Sequence, residues 1–256
     1  MTEPALLVSV IIPVFNGASF LSGAVENIRN QGYQRMEVII VDDGSTDETA
    51  KVAADLNDTV RYVYQSNQGP AVARNKGLEI ARGSIIGFLD VDDRWSTNNL
   101  FTMLAFFKTS SETEVVIGKV SLWRLKKDLS EEFSEPMRVF TIGSALFRRE
   151  AFLKAGSFDP ALRYGEDLDW FMRARERGVS MVFLNHVALF YQRHQTNMTR
   201  GKSPVDLNVV RVLKKSLDRR RVQHEGFSSN LSDIPQVERP EGSNQVKSKN
   251  SDEKGL

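Results

Sequence analysis

At 256 residues, 41% of them hydrophobic, the chain is long enough to bury a large core, and one domain followed by a tail is the natural division. The 34 Lys and Arg against 33 Asp and Glu leave a formal charge of +1, which excludes the global basic field that gathers nucleic acid, so a charged partner must bind locally. Cysteine is absent, which excludes disulfides, thiolate metal sites and a thiol nucleophile and fits a reducing compartment.

The longest apolar stretch, residues 5–15, is interrupted by Ser9 and Pro13 and falls short of the roughly 18 residues that span a bilayer. It also lacks the basic start and cleavage site of a signal peptide and reads as a first strand, so a soluble, cytoplasmic protein is expected. Ser19 is placed to cap a helix with Leu21, Val25 and Ile28 on one face. A strand at residues 38–41 follows, then a helix opened by the capping box Ser45-Thr46-Asp47-Glu48, and a strand at 60–64. Pro70 suits a first helical position, Gly83 can close that helix, and a strand at 85–89 comes next. Strands this continuously apolar are buried on both faces, which predicts a mostly parallel sheet covered by helices, an α/β fold.

Beyond Asp93 the alternation loosens towards a mixed sheet. A helix at 98–108, strands at 115–117 and 120–125, and an exposed charged loop at 126–135 are expected. A short helix ended by Gly156, a turn at Phe158-Asp159-Pro160, a helix over 167–177 and strands near Val182 and at 187–191 complete this half. Residues 205–222 read as a helix with Val209, Val212, Leu213 and Leu217 on one side and basic residues from Arg211 to Arg221 around the rest. Such a helix can lie on an anionic membrane surface as a peripheral contact, although a solvated face is the commoner outcome. From Ser228 onward polar residues dominate and disorder is expected. The division is therefore a single domain over 1–222, in halves 1–95 and 96–222, and a tail over 223–256.

Ligands on open parallel sheets bind beyond the carboxyl ends of the strands, and three expected strand ends carry polar clusters. The first gives Pro13-Val14-Phe15-Asn16, the second Asp42-Asp43-Gly44-Ser45, and the third Asp90-Val91-Asp92-Asp93. If extended, the third string places Asp90 and Asp92 on one side, and adjacent acids at a buried strand end call for a cation or a hydrogen-bond network, unless Asp92 or Asp93 only turns the chain and caps the helix that begins near Ser96 or Thr97. Oxygen ligands favour Mn2+ or Mg2+. A carboxylate at the second end, Asp42 or Asp43, could accept a base or ribose hydrogen bond, or the two could simply form a turn and helix cap, and Phe15 could lie against a planar ring. Neither a dinucleotide fingerprint nor a phosphate-binding P-loop is present, so a diphosphate would rely on metal at Asp90 or Asp92, helped by Arg74 or His194. His194 could equally ligate the metal. Further acids, Glu166-Asp167-Leu168-Asp169, open a helix beside Trp170. They suit the helix dipole, yet one could act as general base while Trp170 offers a flat face to a sugar.

Taken together these strings resemble the family 2 glycosyltransferases of the GT-A fold. The matching pieces are Val8 to Asn16, Val41 to Asp47, Asn67 to Asn75, Phe88 to Asp93 and Gly165-Glu166-Asp167, in the family's order over roughly residues 6 to 200. The resemblance implies a Rossmann-like sheet, a nucleotide-diphosphate-sugar donor, commonly a UDP-sugar, and inversion at the anomeric carbon. Pro13, Phe15 and Asp43 match the nucleoside contacts, and Asp90 with Asp92 the D-x-D metal motif. Asp167 matches the proposed base, and His194 a downstream histidine near the diphosphate. The chain lacks the Q-x-x-R-W string and membrane spans of processive synthases, which implies transfer of one sugar per encounter to an unidentified acceptor. A nucleotidyltransferase and a non-catalytic nucleotide-sugar-binding protein are the competing readings.

Overall fold

The computed structural model describes residues 6–56, 60–194, 197–198, 200–222 and 234–237. The first half lays down β1 (Val8–Val14), α1 (Ala18–Arg29), β2 (Met36–Asp42), α2 (Thr49–Asp55), β3 (Arg61–Tyr64), α3 (Pro70–Ile80) and β4 (Ile85–Phe88). β1 pairs in parallel with β2 and β4, and β2 with β3, so these strands lie in the order β4-β1-β2-β3. The second half adds β5 (Arg94–Trp95), α4 (Asn99–Thr109), β6 (Val115–Leu125), β7 (Glu131–Phe133), β8 (Ala145–Arg148), α5 (Arg149–Ala155), α6 (Glu166–Glu176), β9 (Met181–Gln192), α7 (Val209–Val222) and β10 (Gln236–Val237). β8 runs antiparallel between β4 and β6, and β9 returns parallel to β6, which produces the expected mixed half.

Side chains alternate across the sheet and so feed two cores. Val8, Val10, Ile12 and Val14 of β1 join Leu21, Val25 and Ile28 of α1 and Leu100, Met103 and Phe107 of α4 on one face. Ile11 of β1 faces the other way, with Ala73 of α3, Ala151 of α5 and Trp170, Phe171 and Ala174 of α6. A sheet covered on both faces directs its ligands to an edge, the carboxyl ends of the parallel strands.

Several local expectations are replaced by longer-range pairings. The string Ser45 to Glu48 is no capping box, since α2 begins at Thr49 without a side-chain cap. Its polar groups instead hold the turn after β1. Asn16 N donates to Ser45 Oγ (2.8 Å), Thr46 N to Asn16 Oδ1 (2.8 Å), and Ala18 N to Asp47 Oδ2 (3.1 Å). Ser19 likewise lies inside α1, which starts after Gly17 with no side-chain cap. Gly83 does not close α3, whose C-cap is Ala81. Gly83 is needed for close approach, because a Cβ there would lie 2.6 Å from Ser9 N and 2.7 Å from Leu7 O. The two expected strand pairs at 115–125 and 181–192 are each one continuous strand, with a register shift near Lys119. The charged 126–135 loop contains the edge strand β7.

The last helix also differs. α7 begins at Val209, and Leu213 and Leu217 face outward with Val210, whereas Lys215 and Arg219 face the protein. In the tail, Ile234 is buried in the second core and β10 pairs with β9, which corrects disorder at 234–237, while the rest of the tail lies outside the described residues. No helix among the described residues is long and apolar enough to cross a membrane.

Gly83→Ala drives a methyl into backbone atoms that cannot rotate away, and it is expected to lower stability by about 1–3 kcal/mol in urea unfolding, with the fold retained.

Candidate donor and acceptor site

The carboxyl edge opens a cleft of about 580 Å³ whose walls include Pro13, Val14 and Phe15 after β1, Asp43 after β2, Asp90 and Asp92 after β4, and Glu166 and Asp167 of α6. Phe15 is 51% exposed on this wall, so its ring is available to a planar ligand. Asp43 is buried, and its carboxylate is engaged by the chain itself. It accepts from Gln68 N (2.9 Å) and Gly69 N (2.8 Å) and from Gln65 Nε2 (2.7 Å). Asp43 therefore fastens the 65–69 loop that leads into α3, a role the sequence reading did not assign. Gly44 makes that approach feasible, because it adopts φ +84° and a Cβ would lie 2.7 Å from Asn67 N.

The acids after β4 are arranged by a turn. β4 ends at Phe88, and Asp93 N donates to Asp90 O (3.0 Å), so the expected strand alternation of Asp90 and Asp92 does not operate. Asp90 meets Arg74 Nη2 at 2.7 Å, while Asp92 meets His194 Nε2 at 2.8 Å. The His194 ring stacks on Phe20, with centroids 5.3 Å apart. Asp93 is buried and accepts from Gln192 N (2.9 Å), which ties the turn to the end of β9. Burial, followed by the charges of Asp92 and Asp90, holds the Asp93 carboxyl well above the usual carboxylate range. Burial and the nearby Asp90 charge also raise Asp92, against the lowering pull of His194.

Arg74 is the centre of the charge arrangement. Its guanidinium is buried and meets Glu166 at 2.5 Å as well as Asp90, so it joins α3, the β4 turn and α6. Arg74 and Glu166, both expected to contact substrate, are bonded to each other, although both line the cleft.

Asp167 differs from its neighbours. Among the described residues its carboxylate bonds Leu168 N (2.7 Å) and no side chain, whereas Asp43, Asp90, Asp92 and Glu166 are each engaged by another side chain. Burial first, then the charge of Glu166, pushes Asp167 up to about 7, against the lowering pull of Arg74. Asp169, the adjacent acid, is wholly buried and bound to Arg173, Lys215 and Arg219, away from the cleft.

Trp170 corrects an expectation. It is fully buried between Phe147, Phe152 and Phe158, and its indole N–H donates to Gly156 O (2.9 Å), so it offers no face to a sugar. At helical spacing Trp170 lies with Ala174 on the core side of α6, a periodicity that would have placed it there. Cleft residues missed from sequence include Thr141, Arg163, Tyr164, Tyr191 and Asn197, which come from loops and a strand end without a local motif. Among the described residues no group of three or more His, Asp or Glu side chains is gathered closely enough to hold a metal ion. Two of the three expected ligands, Asp92 and His194, are nevertheless in contact.

The chain belongs to glycosyl transferase family 2, whose model matches residues 9–156. It is 30% identical over 207 residues to an uncharacterized glycosyltransferase of Rickettsia prowazekii, covering 73% of this chain and 64% of that protein. The chain thus spans somewhat less than two thirds of that relative's length. Its fold is similar to the Staphylococcus aureus protein TarS, residues 1–349, in complex with UDP-GlcNAc, with TM-score 0.70 and 18% identity over 88% of this chain and 68% of that one. It is also similar to a Pyrobaculum calidifontis mannosyltransferase in complex with GDP-Man and Mn2+, with TM-score 0.66 and 19% identity over 88% of this chain and 67% of that one. The expected GT-A architecture is the one present.

Arg74→Met leaves Glu166 and Asp90 without their cation. Removing one partner of a buried pair costs about 3–5 kcal/mol, and a loss of this size is expected in chemical unfolding, with a much smaller loss in the Arg74→Met, Glu166→Gln double variant.

Proposed function

We propose that this chain is an inverting glycosyltransferase that moves one sugar from a nucleotide-diphosphate-sugar, of the UDP type, to an acceptor hydroxyl. The observation that carries the reading is the contrast within one cleft between four carboxylates engaged by side chains and Asp167, which among the described residues no side chain engages. Phe15, with Pro13 and Val14, receives the nucleobase, and Asp43 shapes that end of the cleft through the 65–69 loop. The donor assignment draws support from the UDP-GlcNAc complex of TarS.

Asp167 accepts the proton of the acceptor hydroxyl as that oxygen forms a bond to the anomeric carbon. The bond from that carbon to the diphosphate oxygen breaks in the same displacement, and the electron pair leaves with the nucleoside diphosphate. A base near the working pH transfers protons most effectively, which fits a carboxyl raised to about 7. A single displacement with one base inverts the anomeric carbon. Asp92 and His194, with Asp90, would hold a divalent cation, Mn2+ or Mg2+, whose charge would neutralise the departing diphosphate. Arg74 keeps Asp90 and Glu166 in register with that end of the cleft and lowers the cost of gathering acids there.

Transfer is followed as release of UDP from UDP-sugars. Asp167→Asn is expected to cut the rate by about a hundred- to ten-thousand-fold while leaving UDP affinity within about twofold. Unchanged turnover in that variant would place the base elsewhere.

In the wild type, kcat/KM should rise with pH up to about 7 and then level, because the base works only after losing its proton; below that point the rate falls about tenfold per pH unit. Calorimetric titration with UDP should show Mn2+ strengthening binding, and Asp92→Asn should remove more than about tenfold of that gain. Binding indifferent to metal in both proteins would sink the metal assignment.

A further inference from the structure

α7 turns two of its cations, Lys215 and Arg219, inward and three of its apolar residues, Val210, Leu213 and Leu217, outward. On the protein side, Arg219 reaches Glu176 at 2.5 Å and Asp169 at 3.1 Å, Lys215 reaches Asp169 at 3.2 Å and also pairs with Asp159, and Ser216 bonds Glu176. Val212 packs against Leu162 and Met172 in a small satellite cluster. On the other side Val210 is 60% exposed, Leu213 45% and Leu217 48%.

These three stand at helical spacing i, i+3, i+7 and form one stripe, with Val222 exposed at the helix end. Exposed cations border it. By helical rotation Lys214 and Arg221 lie along one edge and Arg220 along the other, with Asp218 the single acid on the helix. A helix satisfied by water alone would turn Leu213 and Leu217 towards the core and its charges outward. The ion pairs at Asp169 and Glu176 fix the opposite orientation.

We propose that this outward face of α7 seats on an anionic lipid surface. Leucines would enter the boundary between headgroups and acyl chains, while the flanking Lys and Arg meet lipid phosphates. The charge complementarity is local, since the whole chain carries only +1. α7 is also anchored to the cleft. Leu207 and Val209 line it, and Asn208 Nδ2 donates to Tyr164 O (3.2 Å) just before the helix that carries Asp167. Lipid seating would therefore hold the cleft wall at Leu207 and Val209 near the membrane, where a lipid-borne acceptor would be met, a consequence that rests on the glycosyltransferase reading, whereas the seating itself does not.

The test is sedimentation of the full chain with vesicles of equal parts phosphatidylglycerol and phosphatidylcholine, against phosphatidylcholine alone. Binding to the anionic vesicles is expected, weakened by added salt. Leu213→Ser with Leu217→Ser should reduce it by at least about tenfold, and Lys214→Glu with Arg221→Glu by at least about fivefold per cation. Both variants should keep the wild-type melting temperature and UDP affinity, which separates loss of the surface from loss of the fold or of the donor site. Absence of binding to anionic vesicles, equal binding to neutral ones, or binding that survives both variants overturns the proposal. So does a concentration-dependent dimer, seen by light scattering without vesicle binding and abolished by the leucine substitutions, because a second copy would then be the occupant.

Discussion

The guanidinium of Arg74, buried between Glu166 and Asp90, is the contact on which the cleft depends. Acids from two strand ends and one helix converge there, and like charges in a partly desolvated space repel strongly. A buried cation reaching two of them from α3 lets the rest approach, and its planar fork suits two carboxylates in different directions. The same contact crosses between the halves of the chain, since Arg74 and Asp90 precede residue 95 and Glu166 follows it. The cleft walls contributed by the two halves are thereby held at one spacing.

Around that centre the loops at the sheet edge are tied to each other. Asn16 bonds Ser45 and Thr46, Asp47 accepts from Ala18 N at the start of α1 from a different loop, Asp43 gathers the 65–69 backbone, and Asp93 holds the end of β9. The bonds of Asp43 and Asp93 satisfy buried carboxylates, while those of Asn16 and Asp47 cross-link exposed loops, and together they stiffen the edge before any ligand arrives. Stiffness matters for proton transfer, because a base displaced by an ångström loses much of its effect. Asp167 gains its elevated pKa from the same crowding, since burial and the adjacent Glu166 both disfavour its charge.

The aromatic cluster beneath α6 serves a different end. Trp170, Phe147, Phe152 and Phe158 pack under the helix start, Phe147 edge to face on Trp170 and the other pairs tilted, and fix its position against β8 and α5. The flat ring that a sugar might have met is thus spent on supporting the acids one turn away. On the far side of α6, Asp169 and Glu176 hold α7, so a single helix carries Asp167 on one face, core aromatics on another and a charged anchor on a third.

The alternating apolar strands and helices of the first ninety residues were legible in the sequence, because burial of a sheet on both faces imposes continuous apolar runs that need no partner to be recognised. The ordered motifs likewise located the cleft acids Asp43, Asp90, Asp92 and Asp167, since strand ends are points along the chain. Their partners were not legible. Whether Glu166 faces a ligand or Arg74, whether Asp43 meets a nucleoside or the 65–69 backbone, and whether Trp170 lines a cleft or a core are decided by groups 14 to 92 residues away. The outward stripe of α7 shows the same division. Helical periodicity established that the helix is amphipathic, but only Asp169 and Glu176, buried on a neighbouring helix, decided which face turns inward. Sequence carries local propensity and pattern, whereas the direction of a side chain is set by the charges and shapes that tertiary packing brings against it.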